Sequence, residues 1–133
     1  MKLEHIGIAV KNLSSSNELF EKLFGQAAYK FECVESEGVE TSFFQLGASK
    51  IELLQASDPK SAVSKFIEKR GEGIHHLAFE VEDIEQEIAR LKSEGFEFVQ
   101  EQPKLGADHK IVCFLHPKTT NGVLVELCQE IKE

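Results

Sequence analysis

One pattern occurs twice in this chain and limits what it can fold into. HIGIAV, His5 to Val10, and GIHHLAFEV, Gly73 to Val81, each read as short strands, with successive side chains sent to opposite faces. In the first, His5, Gly7 and Ala9 share one face, while Ile6, Ile8 and Val10 share the other. In the second, His76, Ala78 and Glu80 lie opposite Leu77, Phe79 and Val81. Each strand opens one face with a histidine followed by a small residue, and makes the other face apolar. A pocket on the histidine faces has room for a ligand above the small residues.

The stretches after these strands repeat as well. Ser15 and Glu18 have the spacing of a capping box, Leu19, Phe20, Leu23 and Phe24 recur at helical spacing, and Gly25 stops the helix. Asn12-Leu13-Ser14 matches a glycosylation sequon and is read as the helix start. Strands follow over 28–34, 39–46 and 50–55, separated by Ser36-Glu37-Gly38 and Gly47-Ala48-Ser49. Asp58-Pro59 then opens a connector whose short helix carries Val63, Phe66 and Ile67 on one face. After Arg70 to Gly73 the order restarts with the strand at 76–81. A helix follows, begun by Asp83 and Gln86 and carried by Ile84, Ile88 and Leu91 as far as Gly95. Strands are expected over 96–100, 110–116 and 123–129, with Asn121-Gly122 at the last turn. Both halves read β-α-β-β-β, an internal duplication. His5 and His76 stand 71 residues apart, and KIELL and VLVEL 74 apart, so small loop insertions separate the halves. A single domain is expected, with modules at 1–57 and 74–133 and a connector at 58–73.

A formal net charge of −8 leaves no basic stripe to meet phosphates, which argues against a nucleic-acid binder. No apolar run is long enough to span a bilayer. Cys33, Cys113 and Cys128 are odd in number and lack CxxC spacing, so free thiols are expected. With an N-terminus that passes straight into a strand, these features point to the cytoplasm.

Four residues occupy equivalent places in the two halves: His5 and His76 open the first strands, and Glu52 and Glu126 lie inside the last ones. Halves related by a pseudo-twofold axis would bring them together as a mixed nitrogen and oxygen site for a divalent metal (Co, Ni, Zn, Mn or Fe). A lone histidine or glutamate in a strand is more often structural; the repetition of the pair favours ligation here. Such an ion would stabilise an enolate and ease removal of the adjacent proton. Glu126 and Glu52 are then candidate general bases, with Glu40 a weaker one that reads more simply as a solvated edge charge. His75 lies on the face opposite His76 and is read as structural or supporting, and His109 and His116 are not read as ligands. Lys104, Lys110 and Lys118 could meet phosphates near the C-terminal loops, but surface lysines are common and they are read as such.

These segments resemble the vicinal oxygen chelate superfamily, which includes glyoxalase I. Within it, HIGIAVKNL, GIHHLAFEVEDI and QPKLGADHKIVCFLHPKTTNGVLVEL resemble the methylmalonyl-CoA epimerase family over nearly the whole chain. The resemblance implies a fold of the glyoxalase/bleomycin-resistance type: α+β, two tandem βαβββ modules in a curved, cup-like mixed sheet around a metal site. It also implies a metal-dependent proton transfer at C2 of methylmalonyl-CoA through a metal-stabilised enolate, with His5, Glu52, His76 and Glu126 at the ligand positions. A small-molecule acyl-CoA substrate and a homodimer are implied as well. Some epimerases carry Gln at the position of Glu52, whereas glyoxalases tend to have Glu, which keeps a lactoylglutathione lyase open. A non-enzymatic small-ligand-binding module is the third reading.

Overall fold

The alternating segment at the N-terminus forms β1 (Lys2–Ala9), and its small residues Gly7 and Ala9 are buried. The chain is described by a computed structural model over residues 1–132. It divides into two units, His5–His75 and Met1–Glu4 together with the chain from His76 onward.

In the first unit β1 is followed by α1 (Leu13–Phe24). The helix starts at the sequon, but Ser15 and Glu18 do not cap it. Asn12 does so, its side-chain oxygen accepting from the Ser15 N–H at 2.9 Å. Capping three residues earlier places Leu13 inside the helix, where it joins Phe20 and Phe24 against Val10, Phe44 and Leu53. The helix ends at Gly25, whose φ of 71° lies in the left-handed region open to glycine at little cost.

Three strands complete the module: β2 (Lys30–Val34), β3 (Val39–Leu46) and β4 (Ser49–Ala56). Their order is β2-β3-β4-β1, antiparallel except for the parallel pair β1–β4. The connector forms α2 (Ala62–Arg70), where Ser61 accepts from the Ser64 N–H and Val63 is the buried residue of the apolar face.

The second unit repeats this plan. β5 (Gly73–Glu80) covers the stretch GIHHLAFEV but for its last residue, Val81. Asp83 caps α3 (Ile84–Ser93) by accepting from the Gln86 N–H at 3.1 Å, as its spacing predicts. Ile84, Ile88 and Leu91 from this helix pack against Val81, Cys113, Leu115 and Leu127. The strands are β6 (Lys104–Leu105), β7 (Lys110–Leu115) and β8 (Val125–Glu130), in the order β5-β8-β7-β6 with β5–β8 parallel.

The expected strand over 96–100 is not formed. One bridge, Phe98 to Leu115, marks its place, and beyond it the Gln100 side-chain oxygen accepts the Phe114 N–H at 3.0 Å. A side chain takes over a ladder bond there, and Pro103 has no N–H to donate. Pairing resumes as β6, which lines up Lys104 with Val112 and Leu105 with Ile111.

The duplication extends to individual hydrogen bonds. Val10 N–H donates to the Leu54 carbonyl and Val81 N–H to the Cys128 carbonyl, both at 2.9 Å. Gln55 accepts from the first helical N–H of α1, at Leu13 (2.6 Å), and Gln129 from that of α3, at Ile84 (2.7 Å). Each glutamine ties the start of a helix to the end of its parallel strand. Among the described residues, no helix is long and apolar enough to cross a membrane.

Candidate metal and acid–base centre

The parallel strand pairs place a histidine and a glutamate side by side in each unit. On β1 and β4, Gly7 lies across from Glu52; on β5 and β8, Ala78 lies across from Glu126. These are the small residues that follow each histidine on its own face, so each carboxylate is flanked by a position with little side-chain bulk. His5 Nδ1 lies 3.0 Å from Glu52 Oε2, and His76 Nε2 lies 3.3 Å from Glu126 Oε1. His5 is 4% exposed, Glu52 3%, and His76 and Glu126 6% each. Burying carboxylates is costly unless they are paired, and here each has an imidazole partner.

The donor set suits a divalent ion. Two ligands at about 2.1 Å from one metal and roughly 90–110° apart are separated by about 3.0–3.4 Å. Both His–Glu distances fall in that interval, and with Glu4 the first pair offers three donor atoms within 4.8 Å of one another.

Each unit also sets a phenylalanine directly across from its glutamate on the antiparallel neighbour: Phe43 from Glu52, and Phe114 from Glu126. Phe114 packs edge-on to the His76 ring, with centroids 5.8 Å apart. These aromatic neighbours were not singled out from the sequence, although their spacing equals that of the two histidines. Glu4, beside His5 on β1, is a further buried carboxylate (6% exposed) that the sequence reading passed over.

Glu40 is placed elsewhere. It is exposed and lies across from Gln55, three residues from Glu52 and therefore on the other face of the sheet. Thr41, across from Leu54, shares the face of Glu52 and Phe43.

His75 points away from His76 and meets the Phe66 ring edge-on at 5.1 Å; burial lowers its pKa from 6.5 to about 4. His116 accepts the Lys118 N–H on Nδ1, and His109 sits in the β6–β7 turn with a φ of 56°. Lys104 and Lys118 are exposed, but Lys110 is not the surface lysine expected: it is 4% exposed, with Asp108 at 3.9 Å. The three cysteines are free, and burial raises the thiol pKa values of Cys113 and Cys128.

The family model for the glyoxalase/bleomycin resistance protein/dioxygenase superfamily matches residues 4–114. The chain belongs to that superfamily. Several of the proteins it is similar to are methylmalonyl-CoA epimerases. The ethylmalonyl-CoA/methylmalonyl-CoA epimerase of Cereibacter sphaeroides is 39% identical over 130 residues, covering 96% of this chain and 97% of the relative. The mitochondrial methylmalonyl-CoA epimerase of Dictyostelium discoideum is 42% identical over 127 residues, covering 95% of this chain and 76% of the relative. A variant of the Streptomyces coelicolor methylmalonyl-CoA epimerase, solved in complex with 2-nitronate-propionyl-CoA, superimposes with a TM-score of 0.94 at 32% identity, covering 99% of both chains.

Proposed function

We propose that this chain is an epimerase that interconverts (R)- and (S)-methylmalonyl-CoA by proton transfer at C2. The observation that carries this reading is the near-complete, two-way coverage by the Cereibacter sphaeroides epimerase. His5, Glu52, His76 and Glu126 form the proposed ligand set for a divalent cation. When bound, the cation supplies positive charge that favours the deprotonated thioester. Glu126 and Glu52 are the proposed proton carriers: a carboxylate oxygen takes the proton as the C2–H bond breaks, and return of a proton to the other side of C2 completes the inversion. Their burial among apolar and aromatic neighbours limits water at the reacting carbon, and the carboxyl groups exchange protons with solvent between turnovers.

A homodimer in a reducing compartment such as the cytoplasm is part of the proposal. Three free cysteines accord with that compartment. β2 ends the first strand order with Phe31 exposed on it and Tyr29 exposed just before it, an edge that a second copy would cover.

The test is deuterium incorporation at C2 of methylmalonyl-CoA in D2O, with metal-loaded and EDTA-treated protein in parallel. Metal-dependent exchange with loss of stereochemistry is expected. Absence of exchange with turnover of the methylglyoxal–glutathione hemithioacetal would move the chain to the lyase reading, which Glu52 favours. Silence on both substrates would leave a binding module.

A further inference from the structure

Glu4 precedes His5 on β1, and successive side chains of a strand leave on opposite faces. Glu4 is nevertheless buried to the same degree as the paired residues, at 6% exposed. One of its carboxylate oxygens, a ring nitrogen of His5 and a carboxylate oxygen of Glu52 all lie within 4.8 Å of one another. Two donors about 2.1 Å from one ion stand about 3.0 Å apart side by side and about 4.2 Å apart across it, so the trio is close to a ligand arrangement.

The trio joins two buried carboxylates to one imidazole. Even a protonated imidazole offsets a single carboxylate charge, and drawing two carboxylates together raises the cost of burying both. A divalent cation offsets the two charges at once. The charge of Glu4 is also felt on the face that carries Glu126. Burial first, then the charges of Glu126 and Glu4, raise the thiol pKa of Cys128, which lies two residues beyond Glu126 and so on the same face of β8.

We propose that Glu4 is a fifth protein ligand of the divalent cation in the substrate-free protein, beside His5, Glu52, His76 and Glu126. The proposal rests on that four-residue ligand set. A further carboxylate strengthens the hold on a hard cation. In a six-coordinate ion it leaves one position to water where four protein ligands leave two.

The experiment loads wild type, Glu4→Leu and Glu4→Gln with Mn2+. Its dissociation constant is read by competition titration, and the waters on the ion by water-proton relaxivity. Wild type is expected to bind one Mn2+ carrying one exchanging water. Glu4→Leu should carry a second water and bind about a hundredfold or more weakly, whereas loss of a residue that only supports a ligand costs about 10–100-fold. Glu4→Gln keeps the length and an oxygen donor without the charge, and should bind about tenfold more weakly than wild type; it carries the test if the leucine variant does not fold. Affinity within about threefold of wild type in the variants would overturn the role of Glu4 and leave the four-residue centre standing. Weaker binding by Glu4→Leu at an unchanged water count would also overturn it, since Glu4 would then steady His5 without touching the ion. A wild type that binds no Mn2+ would overturn the four-residue centre as well.

Discussion

The two glutamines that tie strands to helices allow a quantitative test of the duplicated architecture. Gln55 and Gln129 accept the first N–H of α1 and α3, at 2.6 and 2.7 Å in part-buried surroundings. Methionine preserves length and apolar stem but removes the carbonyl acceptor. A buried N–H left without a partner costs about 1–3 kcal/mol, and partial access to water puts these sites near the lower end, about 1–1.5 kcal/mol. For a chain of this size, that corresponds to a fall of roughly 3–6 °C in Tm for each substitution. The two sites share no hydrogen-bond partner, so the double variant should lose about the sum. Calorimetry on Gln55→Met, Gln129→Met and the double variant reads this directly. Both glutamines lie on the helix side of their strands, away from the His–Glu pairs, so epimerisation below the transition should stay within about twofold of wild type. Midpoints within about 1 °C of wild type for both single variants would refute the assigned role.

Other predictions address the centre and the pH response. His76→Ala should abolish stoichiometric divalent metal and lower C2 exchange by more than about a hundredfold, while far-UV circular dichroism stays native; retained metal would exclude His76 as a ligand. Glu40→Gln, an exposed residue on the other face, should leave kcat/KM within about twofold, whereas Glu126→Gln should lower it by about 10²–10⁴. His75 has its pKa lowered by burial from 6.5 to about 4, so the unfolded chain binds a proton in that interval and the folded chain does not. Its contribution is complete above about pH 6.5 and is lost as the pH falls toward about 4, a change of about 3 kcal/mol. Denaturant melts of wild type and His75→Phe across pH 4–8 should show this in their difference; a difference independent of pH would exclude it.

The sequence determined the repeated βαβββ plan, because strand alternation, helical spacing and cap residues act within a few residues of one another. Asp83 caps α3 as its spacing with Gln86 indicates, and β3 runs from Val39 to Leu46 as its pattern does. The matching of each histidine with a glutamate was also legible, because the duplication repeats the two residue types at nearly constant spacing. Local signals failed where long-range bonds decide. Asn12 took the cap from Ser15 so that Leu13 could join the core, and Gln100 interrupted an edge strand by supplying its side chain to β7. Strand register lay beyond the sequence, since shifting a pairing by one residue exchanges the two faces of a sheet. Only the folded ladder put Thr41 rather than Glu40 on the face of Glu52, set Phe43 and Phe114 across from the two glutamates, and buried Lys110.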